Sequence, residues 1–187
     1  MIQRTKRMVR RTVWAIQKQL KSGEFEPEGV EVVFQGGRID RVDTMETDDG
    51  KLYVRVIDYK TGNTSFDLVS LYHGLQLQLM IYMDGALTVE QNKHKDKDVI
   101  PAGVFYYNIK DPMIQEKIDA DIETVQEKVL KELKMNGLVL KDKELVQKMD
   151  SSLVSIPVSF NKDGSFRKNS SVASKEQFDI LNRYVKT

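Results

Sequence analysis

Short apolar stretches separated by turn residues run through the middle of the chain. Their alternation and their β-branched and aromatic content predict strands over residues 30–34, 37–46, 51–60, 100–108 and 153–160. The third stretch carries apolar residues on both faces, so we expect that strand to be buried on both sides. Asp48-Asp49-Gly50 separates the second and third stretches and predicts a hairpin turn.

Helical spacing of apolar residues marks the other segments. It predicts a basic amphipathic helix before Pro27 and a long apolar helix from Leu68 to Leu87. Asp111-Pro112 favours the start of a further helix, with Asp111 as its N-cap. That helix would bury one stripe, formed by Ile114, Ile118, Ile122, Val125, Val129 and Leu133. Residues 174–177 form a capping-box pattern before a last helix.

The order of these elements indicates an α/β fold, a mixed sheet flanked by helices. Residues 90–98 are strongly charged and predict a surface loop, and the polar residues 161–175 are expected to be mobile. We expect a single domain over residues 1–187. It would comprise a basic helix (1–23), a core (30–135) and a C-terminal extension (136–187).

Composition excludes several classes of protein. Of the 187 residues, 40% are apolar and 30% are charged, as in an ordinary globular domain, and no apolar run approaches the ~18 residues of a membrane span. The chain has no cysteine, which excludes disulfides, thiolate zinc sites and iron–sulfur clusters within it. With only two histidines, a metal site would rely on oxygen ligands, which favours Mg²⁺ or Mn²⁺.

The first 23 residues contain no acidic side chain, although the net charge of the whole chain is only +1. Three interpretations stay open: a packed helix with a solvated basic face, a contact with the DNA backbone, or an organelle transit peptide. The residues that would contact DNA are Arg7, Arg10 and Arg11, together with Arg38 in the second strand.

The candidate chemistry lies around the end of the third strand. Asp58 and Lys60 are two residues apart, so their side chains share a face just before a glycine loop. A two-residue turn would turn Asp40 away from Asp58, whereas a three-residue turn with Gly50 last places the two directly opposite each other. In the latter register Asp43 falls on the other face.

Two facing carboxylates repel each other unless a divalent cation lies between them. Such a site would hold Mg²⁺ with positions open for water and a phosphate oxygen. Lys60 would orient the water or neutralise the phosphate, and Gln78 and Tyr82, four apart on the next helix, would position Lys60 or the phosphate. The alternative is a plain surface ion pair beside a core helix, which contributes little.

Three stretches resemble the PD-(D/E)XK nucleases: 37–43 (GRIDRVD), 56–62 (VIDYKTG) and 74–82 (GLQLQLMIY). Within them the chain is similar to the RecB-like branch, with its G-x-x-D, D-Y-K and Q-x-x-x-Y motifs. The match is closest to the nuclease domain of the AddB (RexB) family, and residues 101–107, followed by Asp111-Pro112, resemble it as well.

The resemblance implies a restriction-endonuclease-like αβββαβ core and Mg²⁺-dependent exonucleolytic cleavage of DNA, with Mn²⁺ as a substitute. Asp40 and Asp58 match the metal-binding acids, the backbone carbonyl of Tyr59 a further ligand, and Lys60 the catalytic lysine. Gln78 and Tyr82 match the additional motif of the branch. The implied partners are single-stranded DNA, an AddA-like helicase–nuclease subunit and the remainder of an AddB-like chain, in cytoplasmic double-strand-break repair and recombination.

Two departures qualify this resemblance. AddB-type domains carry an iron–sulfur cluster, which this cysteine-free chain cannot hold, so we expect an excised piece that ends before the cysteine cluster. Many relatives also place a His or Glu ligand on an upstream helix, and residues 1–23 contain neither. The alternatives are a non-catalytic module that grips DNA in the same complex and a PD-(D/E)XK enzyme that acts alone.

Overall fold

In the computed structural model, which describes residues 2–114 and 121–185, the chain forms a six-stranded sheet with helices packed against it. The strands are β1 (Glu26–Phe34), β2 (Gly37–Glu46), β3 (Lys51–Lys60), β4 (Asp98–Asn108), β5 (Asn136–Leu140) and β6 (Val172–Ala173). The helices are α1 (Ile2–Lys21), α2 (Leu68–Tyr72), α3 (Gln78–Lys93), α4 (Ile122–Glu132), α5 (Lys143–Met149) and α6 (Lys175–Val185).

Strand order in the sheet follows chain order, from β1 to β6. β3 pairs with β2 in antiparallel and with β4 in parallel orientation, which makes the sheet mixed and confirms the predicted α/β class. α3 crosses over from β3 to β4 and packs on both strands. β3 is therefore central, and its carboxyl end opens beside the start of α3.

The turn between β2 and β3 has the predicted three-residue form. The Thr47 amide donates to the Lys51 carbonyl, and Gly50 closes the turn at φ 80°. A positive φ at this position suits glycine because it has no Cβ. The register that follows pairs Arg41 with Ile57 and carries Asp40 to the level of Asp58.

The predicted single helix from Leu68 to Leu87 is wrong, because the segment breaks into α2 and α3. Gly74 adopts φ 75°, which an α-helix cannot continue through, and α3 begins only at Gln78. The predicted loop over 90–98 is also wrong at its start, since α3 extends to Lys93 and Glu90 is buried. Apolar periodicity alone did not show these boundaries.

The helix expected from Asp111 begins later. Residues 111–114 are not helical, and α4 starts at Ile122 behind Asp121, whose carboxylate caps the Thr124 amide. Asp111 instead forms ion pairs with two arginines of α1. The predicted buried stripe holds at Val129 and Leu133 but fails at Ile122, which is 74% exposed. Ile118 lies outside the described residues.

The C-terminal third differs most from the prediction. Residues 153–160 are not the predicted strand, because residues 153–157 form bends and Phe160 makes an isolated bridge with Phe166. The sequence analysis also missed β5 and α5. The polar segment 161–175 contains β6. The predicted capping box is confirmed, because Ser174 and Gln177 exchange side chain-to-backbone hydrogen bonds at the start of α6. No helix among the described residues is long and apolar enough to cross a bilayer.

α1 is a packed helix, as one of the three interpretations of its sequence expected. Its buried residues include Ala15, which contacts Val129 and Leu133 from the α4 region in a small apolar cluster. The charged side chains of α1 lie on the remaining faces, most of them exposed.

Candidate functional site

Asp58 and Lys60 meet at the carboxyl end of β3. Asp58 is only 3% exposed, and its Oδ2 atom lies 2.7 Å from Lys60 Nζ. Burial raises the pKa of the Asp58 carboxyl above its ordinary value, with Lys60 opposing and Asp40 adding to the rise. Burial lowers the pKa of the Lys60 ammonium, but the Asp58 carboxylate outweighs burial and the net shift is upward.

Asp40 joins them from β2. Its Oδ2 atom accepts a hydrogen bond from the Tyr59 amide at 2.8 Å, and its charge is close enough to raise the pKa of Asp58. The three-residue turn produces this placement, because it puts Asp40 and Asp58 on the same face of the β2–β3 pair. We call Asp40, Asp58 and Lys60 the site face.

Gln78 and Tyr82 extend the site from the first turns of α3. Lys60 Nζ donates to Gln78 Oε1 at 2.8 Å, and Gln78 Nε2 donates to the Tyr82 hydroxyl at 2.8 Å. The spacing of four residues places both side chains on one helix face, as predicted. The structure therefore brings together all five side chains proposed from the sequence as catalytic.

Two aromatic residues that the sequence analysis did not assign to the site support it. The Tyr106 ring centroid lies 5.5 Å from Lys60 Nζ, and Phe34 packs edge-on against Tyr82 at 6.0 Å. Tyr106 is opposite Asp58 in the parallel β3–β4 register. Only that long-range register identifies Tyr106, since the sequence alone does not determine how β4 aligns with β3.

The oxygen atoms of this site fit a divalent cation. Apart from the Lys60 ion pair, no described residue donates a hydrogen bond to the buried Asp58 Oδ2. The N–H and C=O of one strand residue point to the same neighbour, so the Tyr59 carbonyl faces the Asp40 side as its amide does. Over residues 2–114 and 121–185 no group of three or more His, Cys, Asp or Glu side chains could hold a metal. Two carboxylates and a carbonyl suit Mg²⁺, which keeps several waters.

The opposite face of the same strand pair carries a second polar cluster, which we call the back face: Arg41, Asp43 and Arg55. Arg41 donates to Asp43 from Nε at 2.6 Å and from Nη2 at 2.8 Å, and Arg55 Nε donates to Asp43 Oδ2 at 2.8 Å. Asp43 is fully buried here, on the face predicted for it. The Asp43–Arg55 pair follows from the hairpin register, but the sequence analysis did not identify it.

The residues proposed to contact DNA are not one cluster. Arg7 and Arg11 both pair with Asp111, and Arg11 also donates to the Pro112 carbonyl at 2.7 Å. Arg38 pairs with Glu31 at 3.1 Å on the β1–β2 hairpin. Arg10 is exposed on α1, and it forms no ion pair with the residues that the structure describes. The acid at position 111 thus neutralises part of the basic face.

A family model described as the PD-(D/E)XK nuclease superfamily matches residues 1–187. The chain therefore belongs to this superfamily, and the mixed sheet with its flanking helices agrees with that assignment.

Similar proteins include three whose names describe them as a subunit of an ATP-dependent helicase/deoxyribonuclease. The one from Lachnoclostridium phytofermentans is 42% identical over 204 residues, which cover 98% of this chain and 17% of that protein. The one from Clostridioides difficile is 39% identical over 211 residues, covering 98% of this chain and 18% of that protein. The one from Alkaliphilus metalliredigens is 37% identical over 212 residues, covering 100% of this chain and 18% of that protein. The chain spans less than a fifth of these relatives.

Proposed function

We propose that this chain hydrolyses phosphodiester bonds of DNA with Mg²⁺ bound between Asp40 and Asp58. The observation that carries the proposal is the convergence of these two carboxylates on one face, with Lys60 anchored beside them. Asp58 Oδ2 is buried, and the partner that the described residues give it is the Lys60 ammonium at 2.7 Å, so the carboxylate keeps lone pairs with which it could also bind a cation. The Tyr59 carbonyl would be the third protein ligand.

A bound Mg²⁺ would supply a water of lowered pKa and would stabilise the charge that develops on the phosphate. The residues of the chain have separate tasks. Lys60 carries the positive charge of the site and would bind a phosphate oxygen or orient the attacking water. Gln78 holds Lys60 Nζ, and Tyr82 holds the amide of Gln78, so the ammonium group is oriented before DNA binds.

We further propose that the chain is the nuclease domain of an AddAB-type helicase–nuclease and acts exonucleolytically on unwound single strands in double-strand-break repair and recombination. The names of the three relatives support this role, since each describes a helicase/deoxyribonuclease subunit. An AddA-like subunit and the remainder of an AddB-like chain would then be its partners. Mn²⁺ would substitute for Mg²⁺ because both prefer oxygen ligands.

Of the proposed DNA-backbone contacts, Arg10 on α1 is exposed and forms no ion pair with the described residues, whereas Arg38 on the β1–β2 hairpin shares its charge with Glu31. Arg7 and Arg11 would have to share their charge with Asp111. A module that only grips DNA would bind through such contacts with a steep salt dependence and would not cleave.

The test is cleavage of end-labelled single-stranded DNA by this chain in Mg²⁺ or Mn²⁺, with EDTA as the metal-free control. We expect cleavage that EDTA and Asp58→Ala both abolish, while Asp48→Asn, at an exposed acid in the β2–β3 turn, retains it. Metal-dependent cleavage that survives Asp58→Ala would contradict the proposed site. DNA binding with no cleavage and no Mn²⁺ binding would favour the gripping module.

A further inference from the structure

Tyr59 connects the two faces of the β2–β3 pair. Its backbone borders the site face, where its amide donates to Asp40. Its side chain points to the opposite face, where the ring packs edge-on against Tyr107 with centroids 5.6 Å apart. The Tyr59 hydroxyl accepts a hydrogen bond from Arg41 Nη1 at 3.3 Å. One residue therefore contacts both polar clusters.

The strand segment that carries the site is not held by a regular ladder on its β2 side. The β2–β3 register ends at the pair Arg41 and Ile57, and Ile39 pairs with β1. Beyond that point, two consecutive β2 side chains hold Tyr59: Asp40 accepts from its amide, and Arg41 donates to its hydroxyl. Side-chain bonds thus replace backbone pairing where the candidate metal ligands lie.

These two contacts differ in how firmly they are anchored. Asp40 is also a proposed metal ligand, so its carboxylate is shared between the Tyr59 amide and the cation. Arg41 is fixed independently, because two of its nitrogen atoms bind the buried carboxylate of Asp43. A planar guanidinium held in this two-point manner has little freedom to move. Its remaining Nη1 is therefore a fixed donor toward Tyr59.

We propose that Arg41 is a positioning residue that sets the Tyr59 carbonyl and the adjacent Asp58 carboxylate for metal binding from the back face of the sheet. The identity of the metal ligands rests on the proposed function, whereas the Arg41–Tyr59 contact does not. The back face thus contributes to the site through the Tyr59 hydroxyl. Arg41 would act without touching metal or DNA.

Tyr59→Phe is the decisive variant, because it removes the hydroxyl and leaves both the ring packing on Tyr107 and the Arg41–Asp43 bonds. The matched control is Tyr53→Phe, which removes a hydroxyl from the other end of β3 on the same face. In metal-free protein we expect the amide of residue 59 to exchange with deuterium roughly three- to tenfold faster in Tyr59→Phe, the change expected for one hydrogen bond. Tyr53→Phe should leave that amide unchanged.

Mn²⁺ binding by calorimetry gives the second readout. We expect Tyr59→Phe to raise the Kd for Mn²⁺ about three- to tenfold, with a melting temperature within a few degrees of that of the unmodified chain. Arg41→Lys alone should weaken Mn²⁺ binding. Combined with Tyr59→Phe it should raise the Kd little further, because both changes remove the Arg41–Tyr59 hydrogen bond. Where Arg41→Lys does not fold, Tyr59→Phe decides alone.

Unchanged exchange at residue 59 in Tyr59→Phe would overturn the positioning role. So would an Arg41→Lys effect on Mn²⁺ binding that is the same in both backgrounds. The proposed function fails in a different way, namely when the unmodified chain binds no Mn²⁺. The exchange measurement, made without metal, still decides in that case whether Arg41 holds the Tyr59 backbone through its hydroxyl.

Discussion

The two faces of the β2–β3 pair combine acidic and basic side chains in opposite proportions. The site face has two carboxylates and one ammonium, whereas the back face has one carboxylate and two guanidiniums. The back face is buried throughout, whereas on the site face Asp58 is buried and Asp40 and Lys60 are partly exposed. The same hairpin register assembles both clusters. The difference lies in how completely each acid is satisfied by the protein.

On the back face, both oxygens of Asp43 are occupied by guanidinium nitrogens at 2.6–2.8 Å. On the site face, the partner of Asp58 Oδ2 among the described residues is the single Lys60 ammonium, which also donates to Gln78. Removing a saturated buried acid destabilises the fold because its partners lose their counter-charge, whereas an acid with fewer partners opposite a second acid costs stability until a ligand binds. The two clusters therefore differ in how fully the protein satisfies their acids, and we expect the back face to serve the fold and the site face to serve the proposed chemistry.

The largest expected effect is on stability, at the back face. Asp43→Asn should lower the free energy of unfolding by about 3–5 kcal/mol, because the two buried guanidiniums lose the carboxylate that both of them bind. Urea denaturation followed by circular dichroism measures it. Asp48→Asn, at an exposed turn position, should change stability by no more than about 0.5 kcal/mol. An Asp43→Asn loss below about 1 kcal/mol would remove the distinction between the faces.

The corresponding change on the site face should spare the fold and stop the chemistry. Asp40→Asn keeps an oxygen that can accept from the Tyr59 amide but loses its charge. We expect unfolding free energy within about 1 kcal/mol of the unmodified chain and DNA cleavage lower by about 10²–10³-fold, as for the loss of several kcal/mol of metal-assisted stabilisation. A variant that cleaves at the normal rate shows that Asp40 holds no essential cation.

A smaller effect is expected at the α3 side of the site. Tyr82→Phe removes the hydroxyl that accepts from Gln78 Nε2 and keeps the ring against Phe34. Cleavage at saturating DNA should fall roughly three- to tenfold, since Gln78 loses one hydrogen bond that orients it. In a Gln78→Leu background the same change should have little further effect, because the two side chains act as one unit. Fully additive losses would mean that Tyr82 acts independently of Gln78.

The smallest expected effect concerns pH. Asp150 is buried, and burial opposes its ionisation, but hydrogen bonds from Ser152 and Ser155 outweigh burial and hold the pKa of Asp150 below its ordinary value. Burial lowers the pKa of Arg55, and the Asp150 carboxylate is among the charges that oppose this, which extends the back face toward α5. Because the pKa is lowered by folding, Asp150 stabilises the fold above its ordinary pKa of about 3.9, and that contribution disappears as the pH falls through its lower folded-state pKa.

The measurement is the free energy of unfolding of the unmodified chain and of Asp150→Asn at a series of pH values below about 5. The slope of unfolding free energy with pH should be shallower in Asp150→Asn, because that variant no longer binds a proton at this position on unfolding. Identical slopes would show that Asp150 does not contribute to acid sensitivity.

Local sequence was sufficient where a short turn determines geometry. β2 and β3 have the predicted bounds, and Gly50 at the last position of the turn selected the register that brings Asp40 to Asp58. The Ser174 capping box likewise depends on residues three apart. In such cases the chain segment itself contains all the groups that decide its structure.

The sequence was insufficient where residues far apart in the chain determine the local structure. Asp111 has the residue types of a helix start, but Arg7 and Arg11, about a hundred positions earlier, engage its carboxylate instead. Residues 153–160 contain enough apolar residues for a strand, yet the buried Asp150 binds Ser152 and Ser155 and folds the segment into turns. Tyr106 reaches Lys60 only through the parallel register, which an intervening helix sets.

The agreement between chain order and sheet order has a consequence for folding. β1, β2 and β3 form a meander of nearest neighbours, and 21 residues, from 40 to 60, contain all three members of the site face. Contacts of such short sequence separation close quickly, whereas the parallel β3–β4 pairing must wait for α2 and α3 to cross over. We expect folding φ-values for Val42 and Val54 to exceed that for Val104. The acidic half of the site would then form on the nascent hairpin, and Gln78 and Tyr82 would complete it last.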